Sequence, residues 1–90
     1  MMKVYAVVFE WSFDGERDFQ FTIHETREKA QEKLEQLKQD ELANSWINTI
    51  EDIEEFENYD DELDYFDACY YDMRTTIWIE EKEILWFATL

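Results

Sequence analysis

Eleven carboxylates and no Lys or Arg lie between Glu51 and Asp72. Paired carboxylates do acid–base catalysis when their surroundings push two pKa values apart. Here they are too numerous and too alike to mark such a pair. Asp60, Asp61, Glu62 and Asp64 would suit a hard cation such as calcium. Their spacing does not follow an EF-hand loop, and the glycine that such a loop needs is missing. His24 and Cys69 could make a nucleophilic pair. They are the only His and the only Cys, and no third group is marked to orient them. His24 reads better as a strand-end residue in water, and Cys69 as a small core residue. A glycine-rich phosphate loop, a metal-spaced cluster and a serine elbow are all missing. The expectation is a chain with no enzymatic activity, no cofactor and no metal.

The same carboxylates support a binding reading. Duplex DNA carries one charge per roughly 1.7 Å of axis with both strands counted. Same-face residues of an extended chain recur about every 6.6 Å. A dense run of Asp and Glu therefore approximates a line of phosphates. A basic cleft built for nucleic acid would accept it through charge-assisted hydrogen bonds and electrostatic steering. The contact set expected on this reading is Glu51, Asp52, Glu54, Glu55, Glu57, Asp60, Asp61, Glu62, Asp64 and Asp67. Tyr59 and Tyr65 are expected as aromatic anchors among them. The bland rival is an acidic face that only keeps the protein in solution.

Large apolar residues are threaded through the run: Ile53, Phe56, Tyr59, Leu63, Tyr65, Phe66 and Tyr70. A disordered acidic tail would lack them. The segment is therefore expected to pack, with its carboxylates in fixed positions.

The whole chain carries a net charge of −16 over 90 residues. Such a charge repels nucleic acid and anionic membranes and favours a basic protein partner. Outside the acidic run, thirteen acidic residues face eight basic ones, so the excess is concentrated in one segment. Ninety residues make one domain, here residues 1–90. At 18% aromatic, the chain can build a core without a disulfide or metal. One unpaired cysteine, no long apolar leader and no membrane-length apolar stretch point to a cytoplasmic location.

Elements must position these groups. Residues 3–13 open with Val4-Tyr5-Ala6-Val7-Val8-Phe9, a central-strand pattern that later becomes one-sided on Tyr5, Val7, Phe9, Trp11 and Phe13. Asp14-Gly15 is a strong two-residue hairpin signal. Residues 17–24 alternate, with Phe19, Phe21 and Ile23 expected inward. Thr26 caps a helix carrying Ala30, Leu34, Leu37 and Leu42 and ending near Ala43-Asn44. Ser45 starts a second helical piece over Trp46, Ile50 and Ile53. Asn58-Tyr59-Asp60-Asp61 reads as a turn. Strands follow over 63–71 and 75–84. The expected architecture is α+β, ββα(α)ββ, an antiparallel sheet with helix packed on one face.

The segments Met2–Trp11, Thr26–Ala30 and Thr75–Ile84 resemble small acidic proteins encoded by bacterial phages and prophages. The resemblance covers both ends and the first helix and leaves out the acidic middle. It implies an inhibitor of the anti-CRISPR or anti-restriction kind, several of which mimic DNA, acting on a Cas nuclease or restriction enzyme. The matching segments are structural and transfer no site residues. The alternative is a homo-oligomeric structural or regulatory module with a solubilising acidic face. Its expected homodimer contact is mainly the apolar end, Trp86, Phe87 and Leu90, with the face of the sheet that the helix leaves uncovered.

Overall fold

A computed structural model describes residues 2–84. Its one sheet is antiparallel and five-stranded: β1 (Met2–Phe13), β2 (Glu16–His24), β3 (Asn58–Glu62), β4 (Tyr65–Tyr70) and β5 (Met73–Ile84), in the order β2-β1-β5-β4-β3. Helix α1 (Arg27–Asn44) packs across one face. The expected α+β class, with helix on one side of an antiparallel sheet, is what forms. No helix among the described residues is long and apolar enough to cross a membrane.

β1 and β5 are the longest strands, and they pair along their whole length in the middle of the sheet. β1 is apolar on both faces at its start, which suits that central place. The Asp14-Gly15 turn adopts positive φ at both residues, 50° and 83°, as a two-residue hairpin with the right-handed strand twist requires. At the same end, Tyr71 also has a positive φ in the Tyr71-Asp72 turn between β4 and β5.

Thr26 caps α1 by accepting from the Lys29 amide at 3.2 Å. The helix buries Ala30 and Leu34 on the sheet, with Leu37 and Leu42 beside them. Facing residues are Val7 and Phe9 of β1, Ile77 of β5, and Phe66 and Ala68 of β4. Ala30 and Ala68 are both fully buried, which lets helix and sheet approach closely.

Lys38 lies on the inner side of α1 and is only 7% exposed. Its ammonium reaches the edge of the sheet, 2.7 Å from Asp61 of β3 and 2.7 Å from Glu35. Burial pushes the Lys38 pKa down, but the two carboxylates outweigh it and hold the ammonium above its usual value.

Three features depart from the sequence pattern. The second helical piece is two short 3-10 turns, Trp46–Thr49 and Ile53–Glu55. Ser45 and Asp52 each accept an amide hydrogen bond that starts a turn, and the extended Ile50 separates the two. Asn58–Glu62 is not a turn but the edge strand β3, held by pairing with β4. Phe19, Phe21 and Ile23 point away from the helix, not inward. A two-residue turn pairs Phe13 with Glu16, so odd positions of β1 face even positions of β2. The β1 residues on the core side are odd, so the odd apolar residues of β2 must lie on the other face.

Candidate functional site

The acidic run covers one edge of the sheet and the connection leading to it. Ser45 Oγ accepts from the Ile47 amide at 3.2 Å and donates to the Glu41 carbonyl at 2.6 Å, so the end of α1 and the first 3-10 turn share one cap. Asp52 Oδ1 accepts from the Glu54 amide at 3.0 Å and starts the second turn. The Glu57 amide then donates to the Cys69 carbonyl at 2.8 Å and leads the chain into β3.

Phe56 anchors this connection. Its ring lies 6.0 Å from Trp46, 5.1 Å from Tyr59 and 6.5 Å from Tyr70, and Tyr59 stacks edge-on with Phe66 at 5.6 Å. Such aromatic contacts add about 0.5–1.5 kcal/mol each beyond burial. The Trp46 indole also donates to Thr75 Oγ1 at 3.2 Å. Glu51, Asp52, Glu54, Glu55 and Glu57 are exposed around this anchored stretch. Beneath them lies a groove of about 230 Å³ lined by Leu42, Ile47, Ile50, Ile53, Phe56 and Tyr59 together with the polar Asn48 and Glu51.

The ten expected contact carboxylates separate into two groups. Asp61, Asp64 and Asp67 are engaged within the protein. Asp61 holds Lys38. Asp64 accepts from Arg27 and, at 2.8 Å, from Gln31. Asp67 is fully buried on the helix-free face of β4. It accepts from Arg74 at 2.9 and 3.0 Å, from Thr76 at 2.8 Å and from Asn58. Burial pushes the Asp67 carboxyl up, but these hydrogen bonds outweigh it and hold it below the usual carboxylate value. The other seven, Glu51, Asp52, Glu54, Glu55, Glu57, Asp60 and Glu62, are exposed, and no Lys or Arg among the described residues pairs with them.

The two tyrosines also separate. Tyr59 is packed between Phe56 and Phe66, and burial, followed by the Asp61 charge, pushes its hydroxyl pKa up. Tyr65 stands half-buried on the helix-free face, paired with Trp78 and Glu62. Trp86, Phe87 and Leu90 lie outside the described residues.

Strand geometry disperses the other candidate chemistries. Alternation along β3 sends Asp60 and Glu62 to the helix-free face and Asp61 to the helix side. The four-carboxylate cation candidate is thereby divided, and no cluster of three metal-binding side chains forms among the described residues. His24 sits on the helix side of β2, its Nε2 2.7 Å from Thr22 Oγ1. Cys69 sits on the opposite face of β4, three strand spacings across the sheet and seven residues along it by register, roughly 27 Å away. Burial, then the Glu57 charge, pushes the Cys69 thiol pKa up, which keeps it protonated.

The helix-free face is expected from the sequence to be a dimer contact, but Phe19, Phe21 and Ile23 are not expected on it. Phe19, Phe21 and Ile23 stand on it 62%, 59% and 52% exposed. The signal for it was the two-residue turn, whose pairing parity fixes their side.

The fold and site together define an acidic α+β domain built around an antiparallel sheet. The chain matches no protein-family model, no curated protein and no solved structure.

Proposed function

We propose that this protein is a non-enzymatic inhibitor that presents its acidic edge to a basic, nucleic-acid-binding site of another protein, in the manner of a DNA mimic. The observation that carries this reading is the set of seven exposed carboxylates without basic partners, held on a segment tied down by two caps and the Phe56 cluster. Fixed charges lose little entropy on binding, and a cleft of Arg and Lys would meet them with charge-assisted hydrogen bonds. The neighbouring groove suits the aliphatic stem of a Lys or Arg whose head pairs with Glu51. A Cas nuclease or a restriction enzyme in a bacterial cytoplasm has the required cleft, and the resemblance to phage-encoded acidic proteins points the same way.

The test is capture of partners from a bacterial lysate on the immobilised protein, with and without competing duplex DNA. The reading expects nucleic-acid-binding proteins that the DNA displaces. Captured proteins that ignore the DNA would count against it. So would a captured enzyme whose nucleic-acid binding is unchanged by added inhibitor.

A further inference from the structure

The helix-free face of the sheet differs from the rest of the molecule in both polarity and charge. One row of residues crosses four strands at its centre: Phe21 of β2, Val8 of β1, Trp78 of β5 and Tyr65 of β4. Phe19 and Ile23 flank Phe21 along β2. Phe19, Phe21 and Ile23 together expose roughly 350 Å² of apolar surface, taking about 200 Å² for each whole side chain. A patch of that size matches the largest one on a typical monomer, which is often functional.

The charge on this face is balanced except at its β3 edge. Across β2, β1, β5 and β4 it holds three acidic residues, Glu10, Asp67 and Glu80, and three basic ones, Arg17, Arg74 and Lys82. They form three pairs: Arg17 with Glu10 at 2.9 Å, Arg74 with Asp67 at 2.9 Å, and Lys82 with Glu80 at 3.1 Å. At the β3 edge the same face adds Asp60 and Glu62, so it carries a net −2 and most of the net charge of −16 resides on the remaining surface. A partner as acidic as this chain is repelled most weakly here, where only Asp60 and Glu62 at one edge are unpaired with a basic residue.

We infer that this face is the contact between two copies of the chain, packed sheet against sheet. The apolar row would sit at the centre and the three ion pairs around it. Strands β2, β1, β5 and β4, of 9, 12, 12 and 6 residues and about 4.8 Å apart, cover roughly 620 Å² in projection, somewhat below the ~800 Å² per partner of a standard interface. Two such faces stack about 10 Å apart with side chains interdigitated, the geometry of a β-sandwich. The helices and the Glu51–Glu57 connection then lie away from the contact, with Asp60 and Glu62 at its margin, so dimerisation doubles the acidic surface and leaves most of it free.

The measurement is the solution mass of the full chain by sedimentation equilibrium. The expected mass is twice 11.1 kDa. Phe21→Lys and, separately, Phe19→Lys should raise the dimer dissociation constant at least about a hundredfold, since each removes a central anchor from both copies. Both side chains are exposed in the single chain, so the far-UV circular dichroism should not change. A chain truncated after Ile84, and one with Glu51, Glu54, Glu55 and Glu57 changed to Lys, should both stay dimeric. The second of these separates the dimer from the function of the acidic edge. A wild-type mass of 11.1 kDa overturns the inference. A dimer that survives both Phe variants, or is lost on truncation after Ile84, overturns it equally.

Discussion

Asp67→Asn should destabilise the fold by about 2–3 kcal/mol at neutral pH, and the loss should fade in acid. The substitution keeps the volume and removes the charge. Asp67 is fully buried, with Arg74 bidentate on it and Thr76 and Asn58 completing the shell. A buried charged acceptor contributes more per hydrogen bond than a neutral one. Arg74 is half exposed and regains water when released, so its share is discounted to about 1 kcal/mol. Thr76 and Asn58 together contribute about 1–2 kcal/mol more. For a chain of this size the sum corresponds to a fall in Tm of roughly 10–20 °C. The pH dependence follows from the depressed folded pKa. The stability that Asp67 contributes is present above the ordinary carboxyl value of 3.8 and is lost as pH falls through the lower folded value. Thermal melts of wild type and variant across that range should therefore converge in acid. A gap below about 0.5 kcal/mol at neutral pH, within the range of an unremarkable surface substitution, would refute the reasoning. A gap that widens as pH falls would refute it too.

Two further substitutions probe the helix. Lys38→Met should cost about 1 kcal/mol or less and Lys38→Ala about 2–3 kcal/mol, because the buried stem packs against the core while the Asp61 and Glu35 partners remain wet; equal losses in denaturant titrations would show that the ion pair dominates. Glu41→Gln should raise stability at neutral pH by about 0.3–1 kcal/mol. Glu41 lies in the last turn of α1, where negative charge opposes the helix dipole, and burial raises its carboxyl pKa. A raised carboxyl pKa means that the charged form weakens the fold, so the gain should vanish as pH falls below the ordinary value of 4.5. A loss of stability at neutral pH would contradict this.

Much of the scaffold was legible where local signals and tertiary packing agree. Asp14-Gly15 marks its hairpin by the positive φ that both positions need. Thr26 and the Ala30, Leu34, Leu37, Leu42 stripe mark α1. β3 was hidden because Asn58, Asp60, Asp61 and Glu62 are poor strand formers. Pairing with β4, and the Lys38–Asp61 bridge, hold it extended. The outward direction of Phe19, Phe21 and Ile23 was present in the sequence as a parity argument, but their alternation alone suggested a core face.

The acidic site was legible only as a count of charges. Which carboxylates are free depends on long-range neighbours. Arg27, Lys38 and Arg74 reach Asp64, Asp61 and Asp67 from other elements, and no spacing rule announces those meetings. Asp67 shows the limit best: Arg74 and Thr76 come to it through one hairpin and Asn58 through another. Ten candidate carboxylates thus become seven that are exposed and have no Lys or Arg partner among the described residues, and Tyr59 becomes part of the packing that fixes them.

The most direct test is the affinity of a captured partner for wild type and for the variant with Glu51, Glu54, Glu55 and Glu57 changed to Lys, measured by calorimetry at low and at physiological salt. All four side chains are exposed, so the variant should fold as wild type does. The affinity should weaken with salt, be competed by duplex DNA, and fall at least about a hundredfold in the variant. An affinity that is independent of salt and unchanged by the four reversals would contradict it.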